Sequence, residues 1–314
     1  MKSRLALILI LTSLLCFERC RRSEEVGKPT IAVIMKTLNN PFFIDMQEGA
    51  ASEAKKLGIG LIVQAAEREV DVEKQMQIIE NLIQRKVSAI CIAPSGSKEI
   101  VPAILKANAA KIPVLIIDTR ADEKALAESG ATTLAFIGSD NKEGGRIAGE
   151  YIAGRLGGKG NVAILEGIPG HETGDARLSG FHQALERFKG ITIVASQTAN
   201  WERDQGFNVF QNILQAHPDV QAVFACNDMM ALGAVEAISS AQKKNKILVV
   251  GFDAIKDSRA AILNGDMHAS IAQYPEEMGR LAVAYAYKAI NGETIPTDIP
   301  VRIELITKEK LLNK

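Results

Sequence analysis

The chain has 314 residues, of which 47% are hydrophobic and 24% are charged, so it is long enough for one or two domains with a real hydrophobic core. Its 37 basic residues balance its 37 acidic residues. This neutral balance gives no electrostatic attraction for nucleic acid, and we expect no nucleic-acid partner.

The first 28 residues have the pattern of an export signal. Two basic residues among the first four precede an apolar run over residues 5–17, which is too short for a membrane-spanning helix, and a charged stretch follows. We expect an exported protein of the periplasm or another extracytoplasmic location. Cys16 and Cys20 both lie at a suitable depth for lipid modification, but neither follows the small residue usual in lipoprotein signals. A lipid anchor, ordinary cleavage and an uncleaved signal therefore all stay open.

The other two cysteines, Cys91 and Cys226, lie in apolar runs and are expected to be buried. Their separation provides neither a disulfide framework nor a metal-binding spacing. We therefore expect no metal site and no cofactor.

Short apolar runs of strand length then alternate with segments in which apolar residues recur at helical spacing. The predicted strands cover residues 31–35, 61–65, 89–93, 114–117, 134–137, 162–165, 191–195, 220–226, 247–251 and 267–272. The predicted helices cover residues 42–57, 70–85, 98–110, 142–156, 174–188, 202–216, 229–240, 254–263 and 278–290, and an extended tail lies around 301–306.

This alternation predicts the α/β class, with parallel sheets covered by helices on both faces. About ten strands can form either one barrel or two doubly wound sheets, and the pattern leaves both arrangements open. Near the midpoint, Gly138-Ser139-Asp140 joins a strand to a helix with little loop. We interpret this junction as a crossing between two lobes.

Polar and aromatic residues collect just past the predicted strand ends, where parallel sheets bind ligands. These residues are Lys36, Asn40, Asp118, Trp201, Asn227, Asp228, Phe252, Asp253 and Gln273. Carboxylates and amides can pair with adjacent hydroxyl groups, and aromatic rings can cover the C–H face of a sugar. If two such sheet edges face each other, they line a cleft suited to a sugar or another polyol.

Each of these residues also has a structural interpretation. Asn227 and Asp228 are suited to capping the helix that starts near residue 229, and Asp118 to a turn. Trp201 is equally compatible with a core position. Lys36, taken alone, is expected to be solvated. The ligand-binding interpretation therefore depends on the shared location of the residues.

Five segments in combination resemble one known family, over roughly residues 30–310. They are KTLNNPFF, ASQTANWERDQG, PDVQAVFACNDMMALGA, ILVVGFDAI and ASIAQYPEEMG. The chain resembles the periplasmic sugar-binding proteins of ABC transporters, of the ribose/allose-binding type.

The resemblance implies a type I periplasmic binding protein fold, with two doubly wound parallel-sheet lobes joined by a hinge. One lobe would comprise residues 30–138 and 274–302, and the other residues 139–273 and 303–314. It also implies a function without catalysis: the lobes capture a monosaccharide and deliver it to an ABC import permease. A chemoreceptor is a second partner that the resemblance allows.

Matching the motifs residue by residue implies the ligand contacts. The implied set comprises an amide and two stacking aromatics, a ring-hydroxyl carboxylate, a third aromatic and further polar contacts: Asn40, Phe42, Phe43, Asp118, Trp201, Asn227, Asp253 and Gln273. The loop GIPGHETGDARLSGF resembles a family loop that makes Arg177 a ligand candidate, with His171 and Asp175 as further candidates. Phe252, which follows the strand in ILVVGFDAI, is another candidate. For His171 we favour an exposed loop position.

Lys36 and Thr119 are two further ligand-binding candidates, at positions where ribose receptors have serine and arginine. Ala93 also departs from the ribose-receptor pattern, which has asparagine at that position. Lys36 and the loop EGIPGHETGDAR are more similar to allose receptors, although Thr119 is not the acidic residue of that group. A hexose, a related ketose or a polyol all fit, so the exact sugar stays open.

Two other function classes are alternatives to a binding protein. A sugar-converting enzyme such as an isomerase, on a barrel or on two lobes, would require catalytic turnover, and the sequence contains no dinucleotide, Walker, zinc-protease or nucleophile-elbow motif in the right context. A sugar-responsive transcription regulator would place a helix-turn-helix before the fold, where this chain has an apolar export segment. We therefore expect a binding protein.

Overall fold

The structure is a computed structural model that describes residues 28–244 and 246–313. The predicted export segment up to residue 27, and with it Cys16 and Cys20, lies outside the described residues. Within the described ranges, no helix combines the length and the apolar character needed to cross a membrane.

Strands and helices alternate along the chain as the apolar periodicity predicts. The strands are β1 Thr30–Met35, β2 Gly60–Ala65, β3 Ala89–Ile92, β4 Val114–Ile117, β5 Phe136–Ser139, β6 Lys159–Glu166, β7 Gly190–Thr198, β8 Ala222–Ala225, β9 Leu248–Asp253, β10 Ala269–Ala272, β11 Asp298–Val301 and β12 Glu304–Thr307. The helices are α1 Pro41–Leu57, α2 Val72–Gln84, α3 Val101–Ala109, α4 Glu123–Ser129, α5 Asn141–Arg155, α6 Glu172–Leu185, α7 Arg203–Ala216, α8 Asp228–Ser240, α9 Lys256–Asn264, α10 Pro275–Ile290 and α11 Lys308–Leu312.

The strands form two six-stranded sheets with the same internal order. The first sheet runs β2-β1-β3-β4-β5-β11 and the second runs β7-β6-β8-β9-β10-β12. Strand β12 is antiparallel to β10, whereas the other pairings are parallel. In both sheets the strand order reverses direction next to the first strand, which is the doubly wound arrangement. The predicted fold class is confirmed, and the barrel alternative is wrong.

The central strands are continuous apolar runs because helices cover both faces of each sheet. Every residue of β3, β4, β8 and β10 is buried. Cys91 and Cys226 lie in or beside such strands and are buried and free, as predicted.

The chain passes between the sheets three times. It crosses after β5, where Ser139 is followed directly by α5; it returns after β10; and it crosses again between β11 and β12. The return is fixed by close packing of α10 against α1, since a Cβ on Gly49 would lie 1.8 Å from the Glu276 carbonyl oxygen and one on Gly279 would lie 1.9 Å from that of Met46. The carboxyl edges of the two sheets therefore face a common cleft.

Two local features differ from the sequence predictions. Helix α4 was not predicted, because it buries no residue and so carries no apolar stripe; its ends are nevertheless marked, by the Asp122 carboxylate that accepts from the Ala125 amide and by Gly130 at φ +72°. The extended tail around residues 301–306 is two strands, one in each sheet, and not a single segment.

Candidate functional site

A narrow cavity of about 20 Å³ lies between the carboxyl ends of the two sheets. With the side chains in these positions, the free space is about that of one water molecule. Side chains from both sheets line it: Lys36, Asn40, Phe42, Phe43, Glu69, Asp118, Thr173, Arg177, Trp201, Asn227, Asp253 and Gln273. Ten of the predicted ligand-binding residues thus line one cavity. Four predicted residues do not line it, namely Thr119, His171, Asp175 and Phe252, while Glu69 and Thr173 are additions.

Lys36 follows β1 and lies inside the cavity, with only 3% of its surface exposed. Its Nζ is 3.4 Å from Asp118 Oδ2, 3.8 Å from Glu69 Oε2 and 5.9 Å from the centre of the Phe43 ring. The expectation of a solvated Lys36 is therefore wrong: two buried carboxylates offset the cost of removing its ammonium group from water.

Asn40 is held by the start of α1. Its Oδ1 accepts a hydrogen bond from the Phe42 amide at 3.1 Å, and its Nδ2 donates to Glu69 Oε1 at 3.3 Å. Pro41 occupies the first helical position, where its missing N–H costs nothing. The rings of Phe42 and Phe43 lie edge to face at 5.2 Å and 88°. This turn therefore presents a fixed amide beside two aromatic rings.

Asp118 has a left-handed backbone, with φ +61°, directly after β4. The Thr119 hydroxyl donates to Asp118 Oδ2 at 2.9 Å, and Thr119 itself is fully buried and does not line the cavity. Thr119 thus orients the Asp118 carboxylate from behind, instead of reaching the cavity as predicted.

Arg177 extends from α6 and is fixed on several sides. Its Nε donates to Asn141 Oδ1 at 2.9 Å and its Nη1 donates to the Cys226 carbonyl at 2.6 Å. Its guanidinium lies 3.7 Å from the centre of the Phe252 ring and its Nη1 lies 4.0 Å from Asp253 Oδ1. Phe252, fully buried, is a platform beneath Arg177 and not a cavity wall.

Trp201 combines a left-handed backbone, at φ +67°, with a hydrogen bond from its indole Nε1 to His171 Nδ1 at 3.3 Å. The indole packs directly on Gly167, where a Cβ would lie 1.9 Å from the ring. His171 is 3% exposed, so the expectation of an exposed loop residue is wrong. Burial, and secondarily the charge of Lys36, lowers the pKa of His171 to about 3, which keeps the ring neutral and able to accept from the indole.

Asn227 caps a helix and also lines the cavity, so its position is compatible with both roles that the sequence left open. Its Oδ1 accepts from the Met230 amide at 2.9 Å and caps α8, while its Nδ2 donates to the Trp201 carbonyl at 3.0 Å and the side chain lines the cavity. Asp228 is different: it is buried, and its carboxylate accepts from the Ser258 and Ser270 hydroxyls at 2.5 and 2.7 Å. It holds the loop after β9 in place.

Asp253 and Gln273 form the wall next to the crossing after β10. Gln273 Nε2 donates to Asp253 Oδ1 at 2.8 Å. Gln273 Oε1 is buried and has no hydrogen-bond partner within the described residues. A buried acceptor of this kind is unusual unless a ligand supplies the donor.

The cavity contains more carboxylates than cations, namely Glu69, Asp118 and Asp253 against Lys36 and Arg177. Burial raises the pKa of Glu69 to about 7, against the opposing effect of Lys36 and Asn40. Burial also raises the pKa of Asp253 well above its usual value, against the opposing charge of Arg177. The site is therefore poorly solvated and close to electrically neutral.

Asp175 is exposed and lies outside this cavity, beside a separate surface crevice. Of the two residues that were missed, Glu69 follows β2 and so shares the position that marked the others. Glu69 was not picked out as a residue past a strand end because it directly precedes the helix predicted from residue 70 onward. Thr173, in the first turn of α6, belongs to the sequence segment GIPGHETGDARLSGF. The motif match in that segment named only Arg177, His171 and Asp175, and no feature of the sequence distinguishes Thr173.

Comparison with known proteins agrees with this geometry. A family model described as a periplasmic binding protein domain matches residues 31–294. The ribose import binding protein of Salmonella typhimurium is 40% identical over 287 residues, which cover 91% of this chain and 93% of that protein. The D-allose-binding periplasmic protein of Escherichia coli is 35% identical over 277 residues, covering 88% of this chain and 89% of that protein.

A solved structure shares both sequence and fold. It is an ABC transporter periplasmic solute binding protein from Actinobacillus succinogenes with bound D-allose, 42% identical, with a TM-score of 0.87. The match covers 91% of this chain and 100% of that one.

Proposed function

The chain belongs to the periplasmic binding protein family, and we propose that it captures a monosaccharide in the cavity between its sheets and delivers it to an ABC import permease. The observation that carries this proposal is the composition of the cavity wall. Three aromatic rings, Phe42, Phe43 and Trp201, line the same small space as carboxylates, amides and an arginine, and both sheets contribute.

These groups have the chemistry that a sugar requires. Asp118 and Asp253 can each accept from ring hydroxyls, Arg177 can donate to them, and Gln273 has a free acceptor facing a buried environment. Such buried polar groups favour a ligand that pairs with all of them, because an analogue that lacks a hydroxyl leaves one unpaired.

The relatives' names specify ribose and D-allose, and a sugar of this class is the cargo that we propose. Lys36 at the first strand end supports an allose-like hexose, or a related ketose or polyol, over ribose itself. The relatives are binding proteins, which supports a transport role without catalysis.

We also propose how the molecule moves. The lobes would comprise residues 30–138 with 274–302 and residues 139–273 with 303–314, and the three crossings between the sheets would act as the hinge. The family is extracytoplasmic, and the basic and apolar residues up to residue 28 support export, with Cys16 or Cys20 as the candidate lipid-bearing cysteine. The closed form is the state that a permease, or a chemoreceptor, would recognise.

A thermal-shift screen tests the function. The purified protein is melted with D-ribose, D-allose, D-psicose, common aldohexoses, ketohexoses and inositols, because a ligand at ~100 times its Kd adds about 2.7 kcal/mol to the stability of the native state. We expect one sugar, or a few that differ at one carbon, to raise Tm by several degrees. A screen in which no sugar or polyol moves Tm would contradict the proposal.

A further inference from the structure

We infer that Glu69 is a specificity-determining residue of the proposed sugar site: together with Lys36 it binds one hydroxyl at the end of the sugar nearest the rim of the cleft. This inference rests on the proposed function, because it takes the cavity to hold a sugar. It names a contact that the sequence motifs do not include.

The first support is the spacing of charged atoms around Lys36. Its Nζ is 3.4 Å from Asp118 Oδ2 and 3.8 Å from Glu69 Oε2, so it is within ion-pairing range of both carboxylates and too far from Glu69 for a good hydrogen bond. A hydroxyl oxygen is both an acceptor and a donor. Placed between the two groups, it can accept from the ammonium and donate to the carboxylate, which bridges the gap.

The second support is that Glu69 is not held as a structural carboxylate is. Within the described residues, its carboxylate accepts one hydrogen bond, from Asn40, which itself lines the cavity. Asp228 shows the contrast, since its carboxylate accepts from two serine hydroxyls and the Ile255 amide and does not line the cavity. Glu69 therefore keeps acceptor capacity on the cavity side.

The third support locates the hydroxyl. Arg68, the residue before Glu69, pairs with Glu202 on the other side of the cleft at 3.3 Å, and the side chain of Arg68 is 54% exposed. Glu69 thus directly follows, in sequence, a residue of this exposed bridge, which supports placing the hydroxyl toward the solvent end of the cleft. Burial raises the pKa of Glu69, and the nearby Asp118 and Glu202 carboxylates add to the effect while Lys36 opposes it. A protonated Glu69 would donate as well as accept, and both forms can bind a hydroxyl.

The test combines changes in the protein with changes in the sugar. The Kd of wild type, Glu69→Gln and Glu69→Asp is measured by titration calorimetry with D-allose, D-ribose and D-psicose, and then with each monodeoxy analogue of the sugar that binds most tightly. Glu67→Gln is the matched control, because Glu67 is an exposed carboxylate in the same loop. The Tm without sugar monitors folding, and the aspartate variant replaces the glutamine variant if the latter fails to fold.

We expect Glu69→Gln to weaken binding of the intact sugar by about 10- to 100-fold, the loss of a hydrogen bond to a charged group. Against one deoxy analogue the loss should shrink to threefold or less, because that analogue lacks the hydroxyl that Glu69 contacts. An equal increase in Kd for every sugar and analogue would mean that Glu69 only positions Lys36 and Asn40. Unchanged Kd values would mean that Glu69 does not contact the sugar. Either result overturns the inference and leaves the proposed function standing. Failure of wild type to bind any of the sugars overturns both.

Discussion

Arg68 and Glu202 form an ion pair across the cleft, with Nε 3.3 Å from Oε1, and each is the sequence neighbour of a cavity residue, Glu69 and Trp201. The pair joins the loop after β2 of the first sheet to the loop after β7 of the second. Two cavity residues on opposite sides of the cleft are therefore adjacent in sequence to an ion pair that spans it. A second bridge, from the Glu172 amide to the Ser97 hydroxyl at 3.2 Å, also joins the two sides.

The Arg68–Glu202 pair should make a small, salt-sensitive contribution to sugar affinity. The two side chains are 54% and 31% exposed, and exposed ion pairs contribute about 0–1 kcal/mol. We expect Arg68→Ala to raise Kd by no more than about fivefold at low salt. In 0.5 M NaCl the difference should vanish, because the Debye length is then about 3–10 Å and exposed charges are screened. Arg203→Ala, which breaks an exposed pair with Glu236 on one side of the cleft, is the control. A large loss that persists in high salt would assign Arg68 a different role.

Asn227 should affect stability as well as binding, since it caps α8 and also faces the cavity. Removing such a cap costs about 0.5–2 kcal/mol, so Asn227→Ala should lower the free energy of unfolding of the ligand-free protein by this amount. Asn227→Asp keeps the capping oxygen and should retain most of this stability, while losing the donor to the Trp201 carbonyl. Urea denaturation of the two variants measures the difference. Equal stability of wild type and Asn227→Ala would show that the cap is unimportant.

Lys36 should be required for stability because it is the cation between two buried carboxylates. Lys36→Ser leaves Glu69 and Asp118 without it, and removing one partner of a buried ion pair costs about 3–5 kcal/mol. We expect a lower Tm that recovers partly as the pH is lowered, because protonation of Glu69 relieves the charge. Lys55→Ser removes an exposed lysine of α1 and should leave Tm within 1–2 °C of wild type, as surface substitutions usually stay within about ±0.5 kcal/mol. An unchanged Tm for Lys36→Ser would contradict the burial of this ion pair.

His171 and Glu69 should make opposite contributions to the pH dependence of stability. The pKa of His171 is lowered to about 3, so its contribution is present above pH 6.5 and is lost as the pH falls toward 3. The pKa of Glu69 is raised to about 7, so its contribution is present below pH 4.5 and is lost as the pH rises toward 7. Between pH 4.5 and 6.5 the two effects oppose each other.

Replacing the histidine should reveal this compensation. His171→Gln keeps an acceptor for the Trp201 indole and removes the titration. Relative to wild type, its free energy of unfolding should rise as the pH falls below 6.5, by up to about 1.4 kcal/mol per pH unit. Urea denaturation from pH 4.5 to 8 measures the difference. His182→Gln alters an exposed histidine of α6, the helix that His171 precedes, and is the control. A constant difference between wild type and His171→Gln across this range would show that His171 titrates normally.

The α/β class could be predicted from the apolar pattern because the central strands are buried on both faces and the helices carry apolar stripes. The choice of two sheets over a barrel depended on the family resemblance. Helix α4, which buries nothing, escaped that pattern, although Asp122 and Gly130 marked its ends. The antiparallel pairing of β12 with β10 depends on a contact between distant segments, and no local pattern of apolar residues reports it.

The site could be predicted in part because its residues follow strand ends, and a shared edge brings such residues together. Burial of single side chains could not be predicted. Lys36 is buried because Glu69 and Asp118, far from it in sequence, supply compensating charges, and His171 is buried because Trp201 packs against it. Thr119 was predicted to line the cavity and does not, because a residue next to a cavity residue can point away from the cavity. Its hydroxyl instead orients the carboxylate of Asp118.

The central claim, a monosaccharide held in this cavity, is tested most directly by calorimetric titration of wild type and Asp253→Asn with the sugar identified in the thermal screen. Asparagine has nearly the same shape as the aspartate that already adopts φ +112° here, but it replaces a carboxylate oxygen with a donor beside Gln273 and Arg177. We expect one sugar per chain for wild type, a Kd weakened about 10- to 100-fold in Asp253→Asn, and no change in Asp257→Asn, an exposed carboxylate nearby. Wild-type affinity in Asp253→Asn would show that the sugar does not bind in this cavity.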